Sequence, residues 1–86
     1  MAYNIVGIKW RNYVGHRHGT PIEPIVEQVS EVSDIKPTIK SLLFDHKCNQ
    51  VLTKYNGQLF ICDGADSVKQ SYVHTKVDYH PYEHLV

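Results

Sequence analysis

The chain of 86 residues lacks long apolar segments and any excess of charge of one sign. Its uncharged apolar runs, at residues 5–8, 42–44 and 59–62, fall far short of the ~20 residues that a membrane-spanning helix needs. The N-terminus has no basic segment followed by a long apolar stretch, so we expect no secretion signal. Nine basic and nine acidic residues cancel, whereas non-specific nucleic-acid binders carry a basic excess. We therefore expect a cytoplasmic protein, no membrane partner, and no nucleic acid as the main partner.

Catalytic fingerprints are missing as well. The sequence has no Gly-x-Ser-x-Gly elbow, no phosphate-binding loop and no dinucleotide fingerprint. Its two cysteines cannot form a Cys-x-x-Cys zinc set, and we expect them to stay thiols in a reducing cytosol. Cys62 lies in an apolar run, which favours a buried thiol over a nucleophile. We therefore expect no cofactor and favour a protein that is not an enzyme.

The pattern of apolar residues predicts one α+β domain over residues 1–86, with a small antiparallel sheet of about four to five strands packed on one helix. The expected strands are residues 3–10, 25–32, 51–55, 58–62 and 71–77. Asn56-Gly57 separates two of them and supplies the positive φ angles of a type I′ hairpin turn. Residues 63–66 are expected to form a second turn, and residues 81–86 an irregular tail or short turn.

The helix is expected over residues 33–46, where Ser33 or Asp34 can cap the first turn. The apolar residues that share one face of this helix are Ile35, Ile39, Leu42 and Leu43. Residues 21–32 are ambiguous, because a capping box with a proline at the first helical position favours a helix. Pro24 and the many β-branched residues oppose a helix, so a strand is favoured there.

Two clusters of aromatic, basic and histidine residues are candidate ligand sites. The first lies at the end of the first strand and in the Gly- and His-rich loop 12–20, and comprises Trp10, Arg11, Tyr13, His16, Arg17 and His18. The second lies on and after the last strand, and its main candidates are Tyr72, His74 and Asp78. Aromatic rings can stack on a base, and arginine or protonated histidine can pair with phosphate. The alternative is that Trp10 and Tyr13 are core or edge residues and that the charged groups are simply solvated.

Metal binding is a weaker possibility. His80 and His84 are four positions apart with Glu83 between them, and on a helix this spacing allows a shared metal. Pro81 opposes a helix at that point, so hydrogen-bonded or surface histidines are the favoured interpretation and no metal is expected.

The C-terminal residues carry a motif: Tyr72-Val73-His74-Thr75, then Asp78, then Glu83-His84-Leu85. This segment resembles the end of a family of short bacterial and phage proteins, in which Tyr-aliphatic-Arg-Thr is followed by Asp and then by Asp-Asn-Leu. His74 stands where that family tends to have arginine, and Glu83-His84 where it tends to have Asp-Asn. The resemblance implies a compact α+β fold and an origin in a phage or other mobile element, but no activity.

These features together predict a small non-enzymatic binding protein. The concrete hypothesis is a phage counter-defence protein that sequesters a nucleotide-type signal or masks a host protein. The alternative is a small nucleotide-cleaving enzyme that uses a histidine such as His74 or His80. A domain of this size has a thin core, and a deep pocket is built most easily between subunits, so a homo-oligomer is expected.

Overall fold

A computed structural model describes residues 2–11, 20–21 and 23–86, with the backbone alone at positions 11, 20 and 21. The loop candidates Tyr13, Arg17 and His18 lie outside these residues. The structure confirms the predicted α+β architecture, with one five-stranded antiparallel sheet and one helical segment, residues 32–45. No helix in the described ranges is long and apolar enough to cross a membrane.

The strands of the sheet are β1 (Tyr3–Ile8), β4 (Ile25–Val29), β5 (Gln50–Tyr55), β6 (Gln58–Asp66) and β7 (Ser71–Val77). Their order in the sheet is β4-β1-β5-β6-β7, and every neighbouring pair is antiparallel. Two short strands, β2 (Trp10–Arg11) and β3 (Thr20–Pro21), pair with each other as a separate ribbon. Residues 21–32, which were ambiguous in sequence, thus contain the strand β4, as the sequence favoured, although the strand ends at Val29 and not at residue 32.

The Asn56-Gly57 hairpin is confirmed. Both residues have positive φ angles, 51° and 76°, as a type I′ turn requires. The predicted turn at 63–66 is wrong, because β6 continues to Asp66 in pairing with β7. The turn falls at residues 67–70, where Asp66 Oδ1 accepts hydrogen bonds from the amides of Val68 and Lys69 at 3.0 and 3.1 Å.

The helical segment has three parts: a 3-10 turn at Val32–Asp34, the α-helix α1 at Ile35–Lys40, and a π-helical turn at Ser41–Asp45. The predicted caps are wrong, since Ser33 lies inside the 3-10 turn and Asp34 makes no capping hydrogen bond through its side chain. The reason is that the 3-10 turn already gives Asp34 helical backbone angles, whereas a capping side chain needs an extended residue.

The C-terminal end of the segment is closed by the backbone. Lys47 adopts the left-handed conformation at φ 58°, and the Cys48 amide donates to the carbonyl of Leu42 at 2.9 Å. This bond spans six positions, one more than the 6→1 bond of a Schellman motif, because the segment ends in a π-helical turn. It turns the chain directly into Asn49, whose amide donates to the Ile8 carbonyl of β1 at 2.9 Å.

Each face of the sheet has its own apolar cluster. The helical segment packs on one face, where the buried residues are Ile5, Ile39, Leu42, Leu43, Cys48, Val51 and Cys62. The other face buries Val6, Ile8, Leu52 and Leu59. Trp10 and the tail residues Tyr82, Leu85 and Val86 pack against this second cluster, so the predicted tail is a 3-10 turn, Glu83–Leu85, that covers the sheet.

Gly7 lets the helix end approach β1. A Cβ atom at this position would lie 2.7 Å from the Sγ atom of Cys48 and 3.1 Å from Cδ2 of Leu42. Cys48 and Leu42 are both buried, so neither has room to move away. The absence of a side chain at position 7 therefore sets the distance between the two layers.

We predict that Gly7→Ala lowers the free energy of unfolding by about 1–3 kcal/mol, because it overpacks this contact. Urea denaturation measures the change. Gly64→Ala is the matched control, since its Cβ would meet a ring atom of the only partly buried Phe44 at 3.1 Å, and that ring can yield. An equal or larger loss in Gly64→Ala would contradict this account.

Candidate functional site

A groove of about 270 Å³ lies where the helical segment leaves the sheet uncovered. The segment packs on β1, β5 and β6, and its N-terminal half forms one wall of the groove. This wall consists of Val32, Ile35, Lys36 and Ile39. The opposite side is the surface of the sheet, so the groove is a cleft between the two layers that opens to solvent.

Ring side chains dominate the sheet side of the groove. They come from four strands and are Tyr3, Tyr55, Phe60, Tyr72 and His74. The His74 ring stacks on Phe60 of the neighbouring strand, with centroids 4.3 Å apart and planes inclined by 26°. Because side chains alternate between the faces of a strand, His74 and Tyr72 share the face that the helix also occupies.

The groove carries little charge. Ile5 and Thr53 lie at its base among the rings, and both are buried. The basic residues that border it are Lys36 and Lys54, and none of its described lining residues is acidic. An apolar floor with ring side chains and a basic rim suits a flat ligand that is neutral or anionic.

A second depression of about 350 Å³ lies between β4 and the helical segment. Its lining includes Glu27, Asp34 and His46. Two carboxylates at this position disfavour an anionic ligand by Coulomb repulsion. The ring-lined groove is therefore the better candidate site.

The structure brings together two of the predicted site residues and separates a third from them. Tyr72 and His74 both line the groove. Trp10 packs instead against the apolar cluster on the other face, and its backbone amide donates to Asn49 Oδ1 at 2.7 Å. Asp78 follows β7 in an exposed bend, and the side chain of Arg11 lies outside the described atoms, as do Tyr13, Arg17 and His18.

Sequence reasoning missed Phe60 and the helix residues Ile35 and Lys36 as members of this site. A signal for Phe60 was present, because the hairpin turn fixes its register and places it directly opposite Thr53. Phe60 could therefore have been assigned to the same face of the sheet as Thr53 and Cys62. No comparable signal indicates how far the helix extends over the sheet.

Of the histidines that sequence reasoning considered for catalysis or metal binding, His80 is in a structural position, whereas His74 lines the groove. His80 is 5% exposed, and its Nδ1 atom accepts a hydrogen bond from the Tyr82 amide at 3.1 Å. Within the described ranges, no three histidine, cysteine, aspartate or glutamate side chains come together as a metal site would require.

The cysteines lie in the core and are not disposed as nucleophiles. Cys62 is fully buried, and burial, reinforced by the nearby Asp63, raises the pKa of its thiol to about 12. Burial also raises the pKa of the Cys48 thiol, partly offset by Lys9. A thiol with a raised pKa holds little thiolate at neutral pH, and the thiolate is the reactive species.

We predict that Cys62 makes folding stability fall at alkaline pH. The unfolded thiol ionises near pH 9.0 and the folded one near 12, so its contribution is complete below the first value and is lost as pH rises towards the second. Between about pH 8 and 10.5, the wild type should lose about 2 kcal/mol more unfolding free energy than Cys62→Ala. Urea titrations across this range measure the difference, and parallel curves for the two proteins would refute the assignment.

No protein-family profile matches the chain, and neither the curated proteins nor the solved structures contain a significant match to it. The resemblance of the C-terminal motif to short bacterial and phage proteins thus stays a prediction.

Proposed function

We propose that this chain is a non-enzymatic binding protein that captures a small nucleotide-type ligand in the ring-lined groove. The observation that carries the proposal is the arrangement of five ring side chains around one open cleft with no acidic residue in its described lining. A nucleotide combines a flat ring with an anionic group, and the groove offers surfaces for both.

The ring of the ligand would lie against the stacked pair of Phe60 and His74. Stacking on an aromatic side chain contributes about 1–3 kcal/mol per base and tolerates any base, because every base has a π-face. The groove volume of about 270 Å³ lies at the lower limit of small-molecule pockets, about 300–1,000 Å³. It therefore suits one ring system and leaves the rest of a nucleotide at the rim.

The anionic group would lie at the rim beside Lys36. A further lysine, Lys76, is the strand partner of Phe60 and is exposed on β7. Alternation along the strand places Lys76 on the same face as His74. Lysine binds phosphate as a flexible point charge, so the rim can accept an anion without a preformed cage.

The biological role that we propose is sequestration of a nucleotide signal by a phage-type counter-defence protein. The C-terminal motif supports the phage setting, and the sequence, which carries no catalytic fingerprint, supports binding rather than turnover. Masking of a host protein would use the same surface, but the small volume of the groove and its stacked rings favour a small ligand.

The proposal is tested by titrating AMP, GMP and the matching nucleosides into the ¹⁵N-labelled protein. We expect amide shifts centred on Phe60, Tyr72 and His74. His74→Thr should weaken nucleotide binding about tenfold, which corresponds to about 1.4 kcal/mol, because it removes half of the stacked pair. Lys36→Ala should weaken binding of the nucleotides more than binding of the nucleosides.

Val73→Thr is the matched control, because Val73 is also exposed on β7 but lies on the opposite face. Equal losses in His74→Thr and Val73→Thr would contradict the proposed site. Shifts that cluster away from the groove, or no binding of either nucleotide, would contradict it too. Recovery of cleaved nucleotide after incubation would favour the enzyme alternative instead.

A further inference from the structure

The strand β7 forms an open edge of the sheet. It pairs with β6 along its whole length, and none of the described residues pairs with its other side. A row of backbone N–H and C=O groups therefore runs along seven residues without a partner strand among them. Such an edge is a template for a further strand.

The opposite edge of the sheet is protected in the usual ways. β4 has only five residues, begins directly after Pro24 and carries Glu27 at its centre. Short length, proline and charge each discourage pairing with another strand. β7 contains no proline, and Lys76 is its only fully charged residue. The two edges thus differ in the features that normally block association.

We propose that two copies of the chain pair antiparallel through β7, on a two-fold axis at His74, to form a continuous ten-stranded sheet. The sequence of β7 is self-complementary in this register. Tyr72 faces Lys76 of the second copy, where an aromatic ring meets a cation, and Val73 faces Thr75, a pair of β-branched residues.

Other registers fit less well. An axis at Thr75 would limit the overlap to residues 73–77 and leave Tyr72 beyond it. An axis at Val73 would shorten the overlap and leave Lys76 beyond it. Only the register centred on His74 uses all seven residues of β7.

Pairing would also cover exposed apolar surface. Val73 is 53% exposed, and Thr75 beside it on the same face is exposed as well. In the paired state each of these side chains gains a neighbour on the adjoining strand at about 4.5–5.5 Å between Cβ atoms.

The pairing has a consequence for the groove, and this consequence alone rests on the proposed function. A two-fold axis perpendicular to the sheet keeps both helical segments on the same face. His74 of the second copy would then face His74 of the first, with Tyr72 and Lys76 of the second copy on either side of it, so that each copy extends the ring-lined surface of the other.

The association is tested on the ligand-free protein by light scattering over a series of concentrations, which separates it from nucleotide binding. We expect a mass of two chains for the wild type. Two double variants differ only at position 75: Val73→Lys/Thr75→Lys places like charges across the axis and should give monomers, whereas Val73→Lys/Thr75→Glu pairs opposite charges and should stay dimeric. A monomeric wild type, or two variants with the same mass, would overturn the proposal.

A cross-link tests the register. The cross-link is made in the Cys62→Ala background, because Cys62 is the strand partner of His74 in β6 and would otherwise compete for the new thiol. Facing residues in antiparallel strands have Cα atoms about 4.5–5.5 Å apart, within the range of a disulfide, so oxidised His74→Cys in this background should run as a covalent dimer. Val73→Cys is the control, because its symmetry mate lies diagonally about 7–8 Å away and should not cross-link. Efficient cross-linking of Val73→Cys in place of His74→Cys would refute the His74 axis.

Discussion

A single helix about 10–12 Å wide cannot cover a sheet of five strands spaced about 4.8 Å apart. The helical segment of this chain lies over β1, β5 and β6. The remainder of that face has to be polar, covered by something else or left open, and here it is partly open and lined by rings. The groove is thus a direct result of how little of the sheet one short segment can bury.

The short length of the chain also determines how the other face of the sheet is covered. The C-terminal tail and Trp10 pack on the second apolar cluster, so these two segments cover apolar surface that the helical segment cannot reach. The core depends on close contacts between layers, with Gly7 admitting Cys48 and Leu42, and with Cys62 fully buried between strands. A thin core leaves no space for a deep internal pocket, and a surface cleft widened by a second copy is the form of site that such a domain can build.

Local patterns predicted most of the strands correctly. Asn56-Gly57 set the hairpin and its register because its backbone preference is strong and local. Residues 63–66 were misassigned because a glycine near two aspartates resembles a turn, whereas Gly64 lies within β6, beside an irregularity in its pairing with β7 and close to the ring of Phe44. The same sequence can serve a turn or a contact, and only the tertiary structure distinguishes the two.

The candidate site was only half predictable for a related reason. Tyr72 and His74 were identified from the alternation of β7, but their separation from Trp10 depends on the face each strand turns to the helix. Ile35 and Lys36 join the site because of where the helix crosses the sheet. The apolar periodicity of the helix shows which face is buried but not where the helix crosses. Long-range packing, and not local preference, completed the site.

The central claim is that the rings around the groove hold a small ligand. Native mass spectrometry of the wild type, His74→Thr and Val73→Thr, each purified from the same expression host and then analysed under denaturing conditions, tests it most directly. The account predicts a co-purifying nucleotide-like mass on the wild type and on Val73→Thr that is depleted on His74→Thr. No bound mass on the wild type, or equal amounts on all three proteins, would contradict it.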